Sequence, residues 1–243
     1  MNDILAKNVH IFNDVDDISL STAKEFVRLV KESIKISGRF CVVLAGGTTP
    51  LNMYKILADS MKNELDWDKI FLFFGDERFV SKESIDSNYF MIKSVLFDKI
   101  QIPTQNVFSF NCDNLSVEDS VLDYKKKITS VFGNVLPKFD LVLLGMGQDG
   151  HTASIFPSSK TIFSKDIIEI ERNSPKPPSI RITMTYELIN NAKNILIMVS
   201  GQDKANTLNK VLNNKKDIVN LPIQGIEPTS GNLNWYITKN ALI

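Results

Sequence analysis

Residues 140–157 read Asp-Leu-Val-Leu-Leu-Gly-Met-Gly-Gln-Asp-Gly-His-Thr-Ala-Ser-Ile-Phe-Pro. The apolar run 141–144 has the length and character of a buried strand, and it gives way to a turn carrying Gly145, Gly147 and Gly150. Glycines leave backbone N–H groups uncovered, so a ligand can approach closely. His151, one of two histidines in the chain, follows the last glycine and sets a group titrating near neutral pH beside those donors. Donors and a base at the end of a strand point to chemistry on a carbonyl. On this segment alone, a purely structural turn beside a satisfied histidine weighs about as much. The stretch also satisfies G-x-G-x-x-G, but a dinucleotide fold needs a long helix after the third glycine, and Pro157 cuts that helix short. Nicotinamide binding is therefore disfavoured.

Outward from this strand the same alternation repeats. Residues 18–37 place Ala23, Phe26, Val27, Val30 and Ile34 on one helical face, with Gly38 as the stop. An apolar strand over 40–45 ends in Gly46-Gly47-Thr48-Thr49-Pro50, where Thr49 reads as an N-cap and Pro50 as the first helical residue. A strand over 70–74 ends in Gly75-Asp76-Glu77-Arg78, read as a charged loop. A polar loop over 81–87 and a helix through Met91 and Leu96 follow, and 116–131 reads as a further helix. Prolines 175, 177 and 178 mark a loop before a strand at 180–185. A strand over 195–199 ends in Ser200-Gly201, a helix with Lys204 and Leu208 comes next, and 235–237 looks like a last strand.

Strand, turn and helix in alternation predict a single α/β domain over 1–243. Its sheet should be mostly parallel, a Rossmann-like three-layer arrangement with helices on both faces. Continuously apolar strands fit a sheet covered on both sides. Parallel strands carry their carboxyl ends to one rim, where ligands bind. Four chemically equipped turns, at 46–49, 75–78, 145–151 and 201–204, should therefore meet there.

Composition narrows the partners. The 243 residues are 43% hydrophobic and 23% charged, with Lys+Arg and Asp+Glu equal at 28 each, so nothing draws the chain as a whole to nucleic acid. Its two cysteines and two histidines show no metal-ligand spacing, which predicts no metal. No apolar run reaches the ~18 residues of a membrane span, and the first residues show no signal-peptide pattern. A reduced, cytoplasmic enzyme without a membrane partner, monomeric or weakly homo-oligomeric, is the expectation.

At the rim, Gly46, Gly47, Thr48 and Thr49 open a helix and suggest an anion site, since helix N-terminal N–H groups favour negative charge. It is no Walker A loop, because no Lys-Ser or Lys-Thr follows. Lys204 and Arg181 each offer a charge for a phosphate. Arg181 reaches the rim only if its strand runs antiparallel, and each cation taken alone reads as ordinary surface charge. Asp76 could orient a histidine or a water, with Arg78 beside it for an anion, although three successive charges also fit a solvated loop edge. His10 reads as structural, and spacing assigns Asn88-Tyr89 no role.

Gly75-Asp76-Glu77-Arg78-Phe79-Val80, Asp86-Ser87-Asn88-Tyr89, the 145–157 stretch, Gly46-Gly47-Thr48-Thr49-Pro50, Arg181-Ile182-Thr183-Met184-Thr185 and Gly201-Gln202-Asp203-Lys204-Ala205 together resemble the 6-phosphogluconolactonases, in the family's order and over nearly the whole chain. Ser81 stands where a proline is usual, and Thr238 where an aspartate is common. The resemblance implies a fold of the glucosamine-6-phosphate deaminase/ribose-5-phosphate isomerase type. It implies hydrolysis of a sugar phosphate lactone, 6-phospho-D-glucono-1,5-lactone, with no cofactor. It implies His151 as general base and Asp76 as the residue orienting the water or the imidazole. The N–H groups of the 145–150 turn, including Gly147, Asp149 and Gly150, would hold the oxyanion. Gly46 to Thr49, with Lys204 and Arg181, would hold the phosphate, and Arg78 would be a further contact. The rivals are a glucosamine-6-phosphate deaminase and a non-catalytic sugar-phosphate sensor. Deaminases carry a glutamate before the proline of the glycine turn, where this chain has Phe156.

Overall fold

A computed structural model describes residues 8–242. Strand β1 (Val9–Phe12) leads into helix α1 (Val15–Ser37). The Asp14 side chain caps α1 by accepting from the N–H groups of Asp16 and Asp17, both at 2.9 Å. Gly38, at φ 75°, ends it with an N–H donated to Ile34. Strand β2 (Phe40–Leu44), helix α2 (Thr48–Ile56), strand β3 (Ile70–Phe74) and strand β4 (Asp76–Arg78) follow, then helix α3 (Asn88–Val95), strand β5 (Val107–Phe108) and helix α4 (Val117–Phe132). The second half runs β6 (Leu141–Gly145), β7 (Ile168–Glu171), β8 (Arg181–Met184), α5 (Tyr186–Ile189), β9 (Asn194–Val199), α6 (Ala205–Asn213) and β10 (Asn232–Thr238).

Seven strands form one sheet in the order β1-β10-β9-β6-β2-β3-β5, and every pairing in it is parallel. All five residues of β2 are buried, as they must be in a strand covered on both faces. Three further strands, β4-β8-β7, make a small antiparallel sheet. The mostly parallel α/β expectation therefore holds, with three departures. Residues 76–78 are a strand rather than a loop. The edge strand β1, the two-residue β5 and strand β7 carry too short a pattern to stand out in the sequence. Helix α2 starts two residues earlier than expected, with Gly47 rather than Thr49 at its N-cap, and the Thr49 hydroxyl instead meets Ser200 Oγ at 2.7 Å in the interior.

Two buried tyrosines close the ends of the central strands. Tyr54 Oη donates to the carbonyl of Ala45 at 2.9 Å and accepts from its N–H at 3.0 Å, just beyond β2. Tyr124 Oη does the same for Phe74, the last residue of β3, at 2.9 and 2.8 Å. Buried backbone groups at strand ends lose their ladder partners and must find others. Tyr124→Phe keeps the ring but leaves both Phe74 groups unpaired, and should cost about 1–3 kcal/mol. In urea unfolding this reads as a lower midpoint with an unchanged slope. An unchanged midpoint would show that these bonds contribute nothing net.

Candidate active site

The carboxyl ends of β2, β3, β6 and β9 open onto one cleft of about 320 Å³. All four turns anticipated from the sequence contribute to its walls: Gly46 to Thr49, Gly75, Asp76 and Arg78, Gly145 to Gln148 with His151, and Asp203 with Lys204.

His151 leaves the glycine turn with its ring packed against Gly147. A Cβ on Gly147 would stand 2.1 Å from the imidazole, so glycine is the residue that fits. Nδ1 of His151 is bonded to Oδ1 of Asp149, two residues back, and the His151 N–H reaches the same oxygen at 3.2 Å. The other side of the ring meets Phe156, with centroids 4.6 Å apart. Burial works against ionising Asp149, but the bonds from His151 outweigh it and hold the carboxyl down at about 2. An ionised carboxylate only accepts, so Nδ1 carries the hydrogen, and the neutral ring would have its lone pair on Nε2.

Several expectations shift on this geometry. The imidazole's partner is Asp149, not Asp76. Asp76 lines the cleft, accepts from Ser154 Oγ at 2.7 Å and lies 3.4 Å from Asn88 Nδ2. The N–H groups of Gly147 and Gly150 are already donated within the turn, to the carbonyls of His151 (2.9 Å) and Gly147 (3.0 Å). Neither is free for an oxyanion. Gly150, at φ 84°, shapes the turn without lining the cleft, and Asp149 supports the histidine rather than the cleft wall.

The cations do meet. Strand β8 runs antiparallel to β4, which brings Arg181 opposite Arg78. This meets the condition under which Arg181 could reach the rim. Burial, and then the neighbouring Arg78, depress the Arg181 pKa. Burial likewise lowers that of Lys204, against the pull of Asp203. Arg78 donates from Nη1 to the Asp86 carbonyl at 2.7 Å, while its buried Nε has no partner. Lys176, from the proline-rich loop, completes the wall, a residue whose place no sequence pattern announced. Among the described residues no cluster of three or more His, Cys, Asp or Glu is arranged to hold a metal ion.

Residues 13–235 match the family described as glucosamine-6-phosphate isomerases/6-phosphogluconolactonase. The chain belongs to this family. Among curated relatives, the rice (Oryza sativa subsp. japonica) protein named "Probable 6-phosphogluconolactonase 2" is 35% identical over 96% of this chain and 88% of its own length. "Probable 6-phosphogluconolactonase 1" of Arabidopsis thaliana is 32% identical over 96% and 91%. Among solved structures, 6-phosphogluconolactonase from Thermotoga maritima superposes with a TM-score of 0.84 at 29% identity, covering 96% of this chain and all of that one. The enzyme from Trypanosoma brucei gives 0.83 at 26%, covering 97% of both. A monomeric glucosamine-6-phosphate deaminase, 21% identical with a TM-score of 0.81, shares the fold.

Within this family fold, the β4–α3 junction rests on a residue that sequence reasoning passed over. Glu77 is 3% exposed. It accepts from the N–H groups of Asn88 (2.7 Å), Tyr89 (2.9 Å) and Arg78 (2.8 Å) and from Ser87 Oγ (3.1 Å). It thereby closes the first turn of α3. Asn88, so fixed, donates to the Asp76 carbonyl at 2.9 Å and occupies the space that a Cβ on Gly46 would need. The available signal was a carboxylate eleven residues before a helix start, too distant to register as a cap. Burial pushes the Glu77 carboxyl up to about 7 despite these bonds. Its folded pKa lies above the ordinary 4.5, so the unfolded chain releases this proton first. The contribution is fully present below about 4.5 and is lost as pH rises through about 7. Glu77→Gln should flatten the stability–pH curve across that window, measured by denaturant titration at several pH values. An unaltered slope would mean that Glu77 titrates as an ordinary carboxyl.

Proposed function

We infer that this chain is a 6-phosphogluconolactonase. It hydrolyses 6-phospho-D-glucono-1,5-lactone to 6-phospho-D-gluconate, the second step of the oxidative pentose phosphate pathway. Relatives and solved structures carrying that name support the reading across almost the full chain. The observation within the site that carries it is an imidazole backed by an ionised carboxylate, at the lip of a cleft walled by cations.

In the proposed reaction His151 Nε2 takes a proton from water as the water oxygen bonds to the lactone carbonyl carbon. Asp149 stabilises the imidazolium that forms, as the carboxylate of a catalytic triad does. Asp76, fixed by Ser154 and Asn88, orients the water. Arg78, which lines the cleft beside Asp76, is the candidate donor to the oxyanion. The tetrahedral carbon then expels the ring oxygen, which recovers the proton from Nε2. Gly46, Gly47 and Thr48 at the start of α2, with Thr49 behind them, Lys204 and Arg181 hold the phosphate. These steps use water and side chains and need no cofactor. One chain supplies every group, so a monomer suffices. The free cysteines, Cys41 and Cys112, fit a reducing setting such as the cytoplasm. No helix among the described residues is long and apolar enough to cross a membrane.

His151→Ala should lower kcat for the phospholactone by about 10²–10⁴-fold with the fold retained. The measurement is steady-state hydrolysis corrected for spontaneous opening, with circular dichroism as the fold control. A near-wild-type kcat would remove His151 as the base.

The rival aminoisomerase reading meets an obstacle at Phe156. Its phenyl ring lies against His151 where deaminases resemble one another in carrying a glutamate, and a phenyl ring cannot exchange a proton. The protein should release no ammonia from glucosamine 6-phosphate under conditions where it opens the lactone rapidly. Ammonia release at a comparable rate would overturn the lactonase assignment.

A further inference from the structure

The loop between β7 and β8 carries a cation that the steps above do not use. Lys176 sits in the run Pro175-Lys176-Pro177-Pro178, exposed, and lines the cleft together with Lys204 and Arg181. Its ammonium makes no hydrogen bond or ion pair with a described residue.

An unpaired surface lysine is ordinary, but this one projects from a fastened backbone. Arg181 is 4% exposed. Its Nε donates to the Pro178 carbonyl at 2.8 Å, and its Nη2 reaches the carbonyls of Lys176 at 3.0 Å and Pro177 at 3.3 Å. Ser174 Oγ adds a bond to the Lys176 carbonyl at 2.8 Å and accepts from the Lys176 N–H at 3.3 Å. A buried guanidinium that binds three successive carbonyls is a clamp on that tripeptide, and it fixes the point from which Lys176 reaches the cleft. The Lys176 charge acts on both ends of the site, disfavouring the protonated form of Lys204 and favouring the ionised form of Asp149.

Charge balance indicates the ligand. Arg78, Lys176, Arg181 and Lys204 line the cleft against two carboxylates, Asp76 and Asp203. The surplus of two positive charges matches the roughly −1.5 to −2 carried by a phosphate monoester at neutral pH. Without Lys176 the surplus falls to one.

We propose that Lys176 is a substrate-binding residue, a cation held over the cleft by the Arg181 clamp that contacts the phosphate dianion together with Lys204. This rests on the phospholactone reading of the cleft. Arg181 then serves the substrate in two ways, by its own charge and as the positioning residue for Lys176.

The test compares wild type, Lys176→Met and Lys176→Arg on 6-phosphogluconolactone and on unphosphorylated glucono-1,5-lactone. Lys176→Met should raise KM for the phosphorylated lactone about tenfold, with kcat much less affected and KM for the unphosphorylated lactone unmoved. Lys176→Arg should restore most of the loss, because charge rather than shape is what the site needs. The decline of kcat/KM with ionic strength should also flatten in the methionine variant. Equal effects on both lactones, no effect, or no rescue by arginine would overturn the proposal. Calorimetric titration with inorganic phosphate separates it from the parent reading. If the wild type fails to open the phospholactone, the lactonase reading falls. Phosphate binding that is weaker in Lys176→Met than in wild type would still support Lys176 as an anion contact, and equal binding would overturn that as well.

Discussion

Gly75 is the only residue between a parallel strand and an antiparallel one, and the site depends on that junction. Its N–H donates to the Leu44 carbonyl at 3.1 Å, which keeps the chain in the large sheet one step past the end of β3. Its carbonyl accepts from Met184 N at 2.7 Å, which already belongs to the small sheet. A Cβ here would lie 3.2 Å from Val43 Cγ1, tighter than ordinary contact, so the residue that turns the chain between sheets is best left without a side chain. The three residues that follow inherit their directions from this turn. Asp76 and Arg78, two apart on β4, share one face and line the cleft, while Glu77 between them turns inward to hold α3. A two-residue period thus divides one tripeptide between the cleft wall and the support of α3.

The small sheet brings a cost that a purely structural element would avoid. In its register Arg78 faces Arg181 directly. Like charges opposite one another across a strand pair are destabilising, and Arg181 shows it in a depressed pKa, after burial itself. Arg181 is partly relieved by the loop carbonyls it binds and Arg78 by the Asp86 carbonyl, yet Arg78 Nε stays buried without a partner. Natural folds retain such local conflicts where a ligand resolves them. An anionic ligand in the cleft that both arginines line would offset that repulsion, which is why the conflict favours an anionic ligand over a purely structural reading of the sheet.

The parts that were legible in the sequence follow from parallel pairing. Apolar runs of five or so residues, each ending in glycine, could only be buried strands, and parallel strands must deliver their turns to one rim. The convergence of Gly46, Gly75, Gly145 and Lys204 was therefore readable without any contact being known. What stayed hidden depended on pairings distant in sequence. Asp76-Glu77-Arg78 is charged throughout and looks like a loop, and only its ladder with 181–183 makes it a strand. Glu77 lies eleven residues from the helix it caps. Thr49 looked like a cap because its neighbours suit one, but Ser200, from the end of β9, competes for the hydroxyl. Asp149 was in plain view, yet spacing alone does not show that a carboxylate two residues before a histidine folds back onto its ring. That depends on the left-handed Gly150 between them.

In the proposed mechanism the chemistry narrows to the surroundings of one ring. His151 is confined on three sides: Gly147 leaves room for it, Asp149 takes Nδ1, and Phe156 packs against the ring. Each removes a freedom that a proton-transfer group would otherwise have. The absent side chain at position 147 fixes where the ring lies, the carboxylate fixes which nitrogen is basic, and the phenyl ring denies the imidazole a second ionisable neighbour. A base left with one open nitrogen and one carboxylate can take a single proton from water and return it to a leaving oxygen. It lacks the second acid–base group that an aldose–ketose interconversion would draw on at this place. The restriction suits opening a lactone, where one proton makes one round trip, and the residue types at 147, 149 and 156 impose it before any substrate arrives.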